Sequence, residues 1–188
     1  VTGSVIDINQ NSVDDPSDCG IYIENDTPAA QPTGGIKITE STVNAKAFYV
    51  GIITDNGSPI LIDHSTVTSG GISTWSGGDI TIRKGSTVNS TTDGFYAGVS
   101  IYPLLEASGA GTLRITDSKL NDVYTYICGD IDIKNSAVTV NGYGIYALGD
   151  ITICDDSDVT ATGPDTGIGS DGKLSISGST VTASAKKS

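Results

Sequence analysis

The sequence predicts an all-β chain wound as a parallel β-helix, a solenoid of about eight rungs with three short parallel sheets. Three observations predict it. One phrase recurs eight times along the chain. A second, glycine-led phrase follows most copies. The composition favours strands and turns over helices.

The recurring phrase is an isoleucine that closes an apolar-x-apolar pair, then a serine, one more residue and an aliphatic. "IDINQNSV" gives Ile8 to Val13 and "IKITESTV" gives Ile38 to Val43. "ILIDHSTV", "ITIRKGSTV", "LRITDSKL", "IDIKNSAV", "ITICDDSDV" and "LSISGSTV" follow, with Ile62, Ile82, Ile115, Ile133, Ile153 and Ile176. Successive isoleucines lie 30, 24, 20, 33, 18, 20 and 23 residues apart. Alternation over so few residues makes a strand with one buried face. Periods near 20 that run end to end make a solenoid. The second phrase, Gly then Ile or Val, begins at Gly20, Gly51, Gly71, Gly98, Gly144 and Gly167, and the fifth copy replaces it with "YTYI" from Tyr124. Each rung is thus three short strands. Eight rungs at about 4.8 Å make a rod of roughly 38 Å. The uneven periods place insertions at the turns.

Composition sets the boundaries. Of 188 residues, 22 are acidic and 10 basic, for a formal charge of −12. Nucleic acid and anionic membrane surfaces are therefore excluded as partners. No apolar run is long enough to insert in a membrane. There is no Met, so we expect a processed product or part of a longer protein, with both ends meeting neighbouring domains or another copy. Cys19, Cys128 and Cys154 lack metal-ligand spacing and are expected as free, buried thiols; a Cys128–Cys154 bridge requires adjacent layers.

These repeats resemble right-handed parallel β-helix proteins, the pectate-lyase-like superfold. The "DITI…STV" coils are similar to repeats of secreted and surface proteins of gut bacteria described as carbohydrate-binding or adhesin-like. The resemblance covers residues 5–184. It implies one β-helix domain over residues 1–188, extracellular or on a cell surface, as a fragment of a larger surface protein.

Four groups of residues are candidates for function. Ser41, Ser65, Ser86, Ser118, Ser136, Ser157 and Ser179 share one repeat position, with Asn11 at its start. A hydroxyl ladder that satisfies turn backbone explains them, because the single histidine, His64, gives no plausible triad. Thr42, Asn44, Thr66, Thr68, Thr87, Asn89, Thr180 and Thr182 form a broken array of the type ice-binding solenoids use, interrupted at Lys119, Ala137 and Asp158. Asp130 and Asp150 open equivalent strands, with Asp132 beside them. Stacked carboxylates recruit a cation or shift their pKa, and relatives in the superfold hold Ca²⁺ on adjacent-rung aspartates. These three are the candidate Ca²⁺ ligands, and Ca²⁺ is the only cofactor suggested. Arg114 is expected one rung from Asp132, in a salt bridge.

The aromatics are the strongest handle. They gather around the glycine phrase, which places them along one side of the rod, where flat amphipathic rings suit sugars. The expected contact set is Trp75, Phe95, Tyr96, Tyr102, Tyr124, Tyr126 and Tyr146. The insertions Tyr102–Gly111 and Asp26–Gly35 are the expected specificity loops. The functional expectation is a non-catalytic module that binds a glycan or a host or cell-surface polysaccharide. A polysaccharide lyase or glycoside hydrolase of the superfold is one alternative, and a structural spacer in a repetitive surface protein is the other.

Overall fold

The structure is a computed structural model. It describes residues 1–9, 19–23, 34–46, 50–55, 57–91, 98–102 and 111–186. All regular elements among them are strands, and every strand pairing is parallel. No helix there is long and apolar enough to cross a membrane.

The chain coils around three faces. Face 1 stacks Ile36–Thr39, Ile60–Asp63, Ile80–Arg83, Leu113–Thr116, Ile131–Lys134, Ile151–Cys154 and Leu174–Ile176. Face 2 stacks Val5–Asn9, Thr42–Lys46, Thr66–Ser69, Thr87–Ser90, the first parts of Lys119–Ile127 and Ala137–Ala147, then Asp158–Gly163 and Thr180–Ala185. Face 3 stacks Cys19–Ile23, Val50–Thr54, Ile72–Trp75, Val99–Tyr102, the second parts of the same two long strands, and Ile168–Ser170. Those two strands turn the corner unbroken. Faces 2 and 3 are therefore one 13-stranded sheet, and face 1 is a separate 7-stranded sheet. Seven strands on face 1 enclose about six complete turns, with part-turns at either end, rather than eight full rungs.

Stacking works because equivalent residues face inward. Face 1 carries two columns of Ile and Leu, from Ile36 and Ile38 to Ile151 and Ile153, all buried. Face 2 adds Val43, Val67, Val88, Leu120, Val138 and Val159, and face 3 adds Ile52, Ile72, Val99 and Ile145. At about 25 cal/mol per Å² removed from water, these columns are the main driving force for coiling.

The serine ladder is present. The backbone N–H of Ser41 donates to Ser65 Oγ at 3.1 Å, and Ser65 N–H to Ser86 Oγ at 3.1 Å. The pattern resumes through Ser118, Ser136, Ser157 and Ser179. Each hydroxyl donates in turn to a carbonyl just upstream, as Ser65 Oγ does to Asp63 O at 2.8 Å. The residue before these serines adopts φ near +50° at Glu40, His64, Asp117 and Asn135. This left-handed turn redirects the chain from face 1 to face 2.

The first copy is out of register with the expectation. Val5–Asn9 pairs with Thr42–Lys46, so Ile8 lies opposite Ala45 rather than Ile38. The ladder begins at Ser4, whose N–H donates to Ser41 Oγ at 3.3 Å. Asn11 lies outside the described residues. "GSVI" at Gly3–Ile6 was the true counterpart of "GSTV" at Gly85–Val88. Cys128 and Cys154 are free thiols as expected, but both are half-buried rather than buried, because each points outward from its strand.

Candidate functional site

The outward side of face 3 is built from two columns. One runs Ile53, Ser73, Ser100, Tyr126, Tyr146 and Gly169. The next pairs Trp75 with Tyr102 and continues through Cys128, Leu148 and Asp171; the backbone bonds Cys128 N to Ile101 O, Leu148 N to Ile127 O and Asp171 N to Ala147 O keep that register. Inward neighbours in the same strands are core aliphatics, and the pleat sends the alternate residues outward.

Five tyrosines meet here. Tyr126 lies parallel to Tyr102 (centroids 5.7 Å apart), Tyr124 (6.0 Å) and Tyr146 (6.1 Å). Tyr143 meets Tyr124 edge-on at 5.8 Å. Parallel rings on adjacent rungs cover part of each other's faces. What they present outward is their rims and hydroxyls, plus Tyr143, which is 66% exposed. Tyr143 stands out because three residues, Asn141 to Tyr143, lie opposite the single residue Val123. Gly169 sits beside Tyr146, where a Cβ would come within 2.8 Å of the ring.

Tyr146 donates its hydroxyl proton to Asp171 Oδ1. That bond, with smaller help from burial and from the charge on Asp171, raises the Tyr146 pKa. Burial raises Tyr126, with Cys128, Tyr102 and Asp171 adding to it. Burial, with Tyr102, Tyr126 and Cys128, pushes Tyr124 up to about 12. Burial also raises Cys128. Tyr124, Tyr126 and Tyr146 therefore stay protonated throughout the neutral range.

Of the expected contact set, the fold brings Trp75, Tyr102, Tyr124, Tyr126 and Tyr146 onto one face. Phe95 and Tyr96 lie outside the described residues, as do most of the two expected specificity loops. The sequence places Tyr143 on this side of the rod, but the expected contact set left it out and missed Leu148 and Asp171. Leu148 and Asp171 could have been found by carrying the repeat register two residues past the tyrosines.

The aspartates have structural partners. Asp130 Oδ1 accepts the Asp150 N–H at 2.8 Å, and Asp150 Oδ1 accepts the Lys173 N–H at 2.8 Å. Asp79 does the same for Thr112, two turns before Asp130. Arg114 is in register with Asp132, 3.9 Å away, but its closer partner is Asp79 at 2.7 Å. Among the described residues no three His, Cys, Asp or Glu side chains gather as metal ligands.

A second feature went unread in the sequence. Asp122, buried at the corner between faces 2 and 3, accepts four hydrogen bonds. Ser90 Oγ (2.6 Å) and Val123 N (2.8 Å) donate to Oδ1; Thr125 Oγ1 (2.7 Å) and Val99 N (3.0 Å) donate to Oδ2. Elsewhere on this corner the N–H equivalent to Val99 donates to a glycine carbonyl one rung on, as Ile72 does to Gly98 and Ile145 to Gly167. Here the Tyr124 carbonyl lies against Gly98 instead, where φ is +116° and a Cβ would strike it. The carboxylate takes the carbonyl's place. Burial raises its pKa against the pull of these four donors.

Compared with family models, curated proteins and solved structures, the chain matches none.

Proposed function

We propose that the chain is a non-catalytic, extracellular or cell-surface module that binds carbohydrate along face 3. One observation carries the reading: an outward cluster of five tyrosines in consecutive rungs, continued by Trp75 and Leu148. Tyrosine rims and hydroxyls offer apolar contact and hydrogen bonding together at little entropic cost, which suits a sugar's alternating CH and OH surface. The fixed strands supply preorganisation. Among the described residues, Asp79, Asp130 and Asp150 each accept a backbone N–H, and Asp63 holds Arg83 and Lys84, which favours the non-catalytic reading.

The test is a glycan-array screen of the purified chain in Ca²⁺ and again in EDTA, repeated with Tyr126→Ala/Tyr146→Ala. The expected result is a saturable hit that the double variant loses while keeping its β circular dichroism. Loss of that hit in EDTA would bring a cation at Asp130 and Asp150 into the reading. Silence on every glycan sinks it and leaves the spacer.

A further inference from the structure

We infer that the glycan recognised by face 3 carries free amino groups and binds as a cation; this rests on the carbohydrate reading above. The chain has 10 Lys and Arg residues, and none lies in a face 3 strand. Lys119, which opens one of the shared strands, belongs to its face 2 part. Arg83, Lys84, Arg114 and Lys134 sit on face 1 or its turn, and each is bound to an aspartate. Lys173, the cation nearest to Asp171 in the chain, directly precedes the face 1 strand Leu174–Ile176.

Face 3 has the opposite character. Asp171 closes the outward column and touches Tyr146. Asp130 and Asp150 directly precede the face 1 strands Ile131–Lys134 and Ile151–Cys154, whereas Asp79 in the same place is paired with Arg114. An ammonium group has three donors and no acceptor. The patch offers it tyrosine oxygens and a carboxylate, acceptors that an ammonium group can bind. A uronate would meet no counter-ion among these residues.

The experiment titrates the whole chain with a glucosamine oligomer, with the same oligomer N-acetylated, and with an oligogalacturonate, at low and physiological salt. One exposed ion pair is worth about two- to fivefold, so the amine form should bind about two- to fivefold tighter than the acetylated one. The uronate should not bind. Asp171→Asn should remove most of that preference, while Asp132→Asn, an equal charge change on face 1, should leave it intact. Tyr126→Ala, which changes no charge, should abolish binding of the amine form.

Equal binding of the amine and acetylated forms overturns the charge inference and leaves the carbohydrate reading standing. Equal effects of Asp171→Asn and Asp132→Asn, or an amine oligomer that ignores Tyr126→Ala, reduce it to diffuse attraction by an acidic chain and overturn it. If no oligomer binds, the charge inference falls, and the glycan array alone decides the carbohydrate reading.

Discussion

Replacing Asp122 tests whether a side-chain carboxylate can substitute for a missing rung carbonyl. In Asp122→Ala the Ser90 and Thr125 hydroxyls can rotate to other acceptors, but the Val99 and Val123 N–H groups are fixed by the backbone. Each buried, orphaned N–H costs about 1–3 kcal/mol, so the loss should be roughly 2–6 kcal/mol. In Asp122→Asn one oxygen survives. Whichever position the amide NH₂ takes, it faces one of the two N–H donors, so the loss should be roughly 1–3 kcal/mol. Urea denaturation at neutral pH measures both, and amide hydrogen exchange should show protection falling at Val99 and Val123. The pH dependence has a definite sign. The folded-state pKa of Asp122 lies above its ordinary 3.8, so its contribution is complete below 3.8 and is lost as pH rises through the raised value. Asp122→Asn should remove that slope. An Asp122→Ala protein within about 0.5 kcal/mol of wild type, its Val99 amide still protected, would refute the reasoning.

Three further outcomes follow from the same geometry. Ser65→Ala orphans the buried Ser41 N–H and should cost about 1–3 kcal/mol in chemical denaturation, whereas Ser179→Ala, in the exposed last rung, should cost less. His64→Gly should stabilise by about 0.5–1 kcal/mol, since a left-handed residue with a Cβ costs about 1–2 kcal/mol and glycine returns part of that in chain entropy; calorimetry checks it. Hydrogen bonds from Lys84 and then Arg83 hold the Asp63 pKa below 3.8 against burial. Its stabilisation is therefore complete above pH 3.8 and lost as pH falls through the depressed value. Asp63→Asn should flatten that acid limb of a denaturation series.

The repeat was legible because Ile82, Val88 and their equivalents must coincide for rungs to stack, and the serine ladder follows from the same constraint. The first copy was misread because "IDIN" carries the face 1 pattern while its strand lies on face 2. Alternation reports which side of a strand is buried, not which face of the coil it joins. Asp122 was invisible for another reason. In "LNDVYTYI" a lone aspartate looks like turn polarity, and only the missing Tyr124 carbonyl reveals what it replaces. The tyrosines could be placed on one side from sequence. That their faces are partly spent on each other could not, because ring tilt depends on neighbours such as Gly169. Stacked Asp130 and Asp150 read as a cation site, yet each reaches only as far as the next rung's N–H.

The rung spacing gives the tyrosine face one more property. Trp75, Tyr102, Tyr126, Tyr146 and Asp171 occupy five successive rungs. Four steps of about 4.8 Å set the span at about 19 Å, and parallel ladders cannot stretch it. The face is therefore a ruler. A chain lying along it gains contacts with each added unit until that span is filled, and affinity should then stop rising with length.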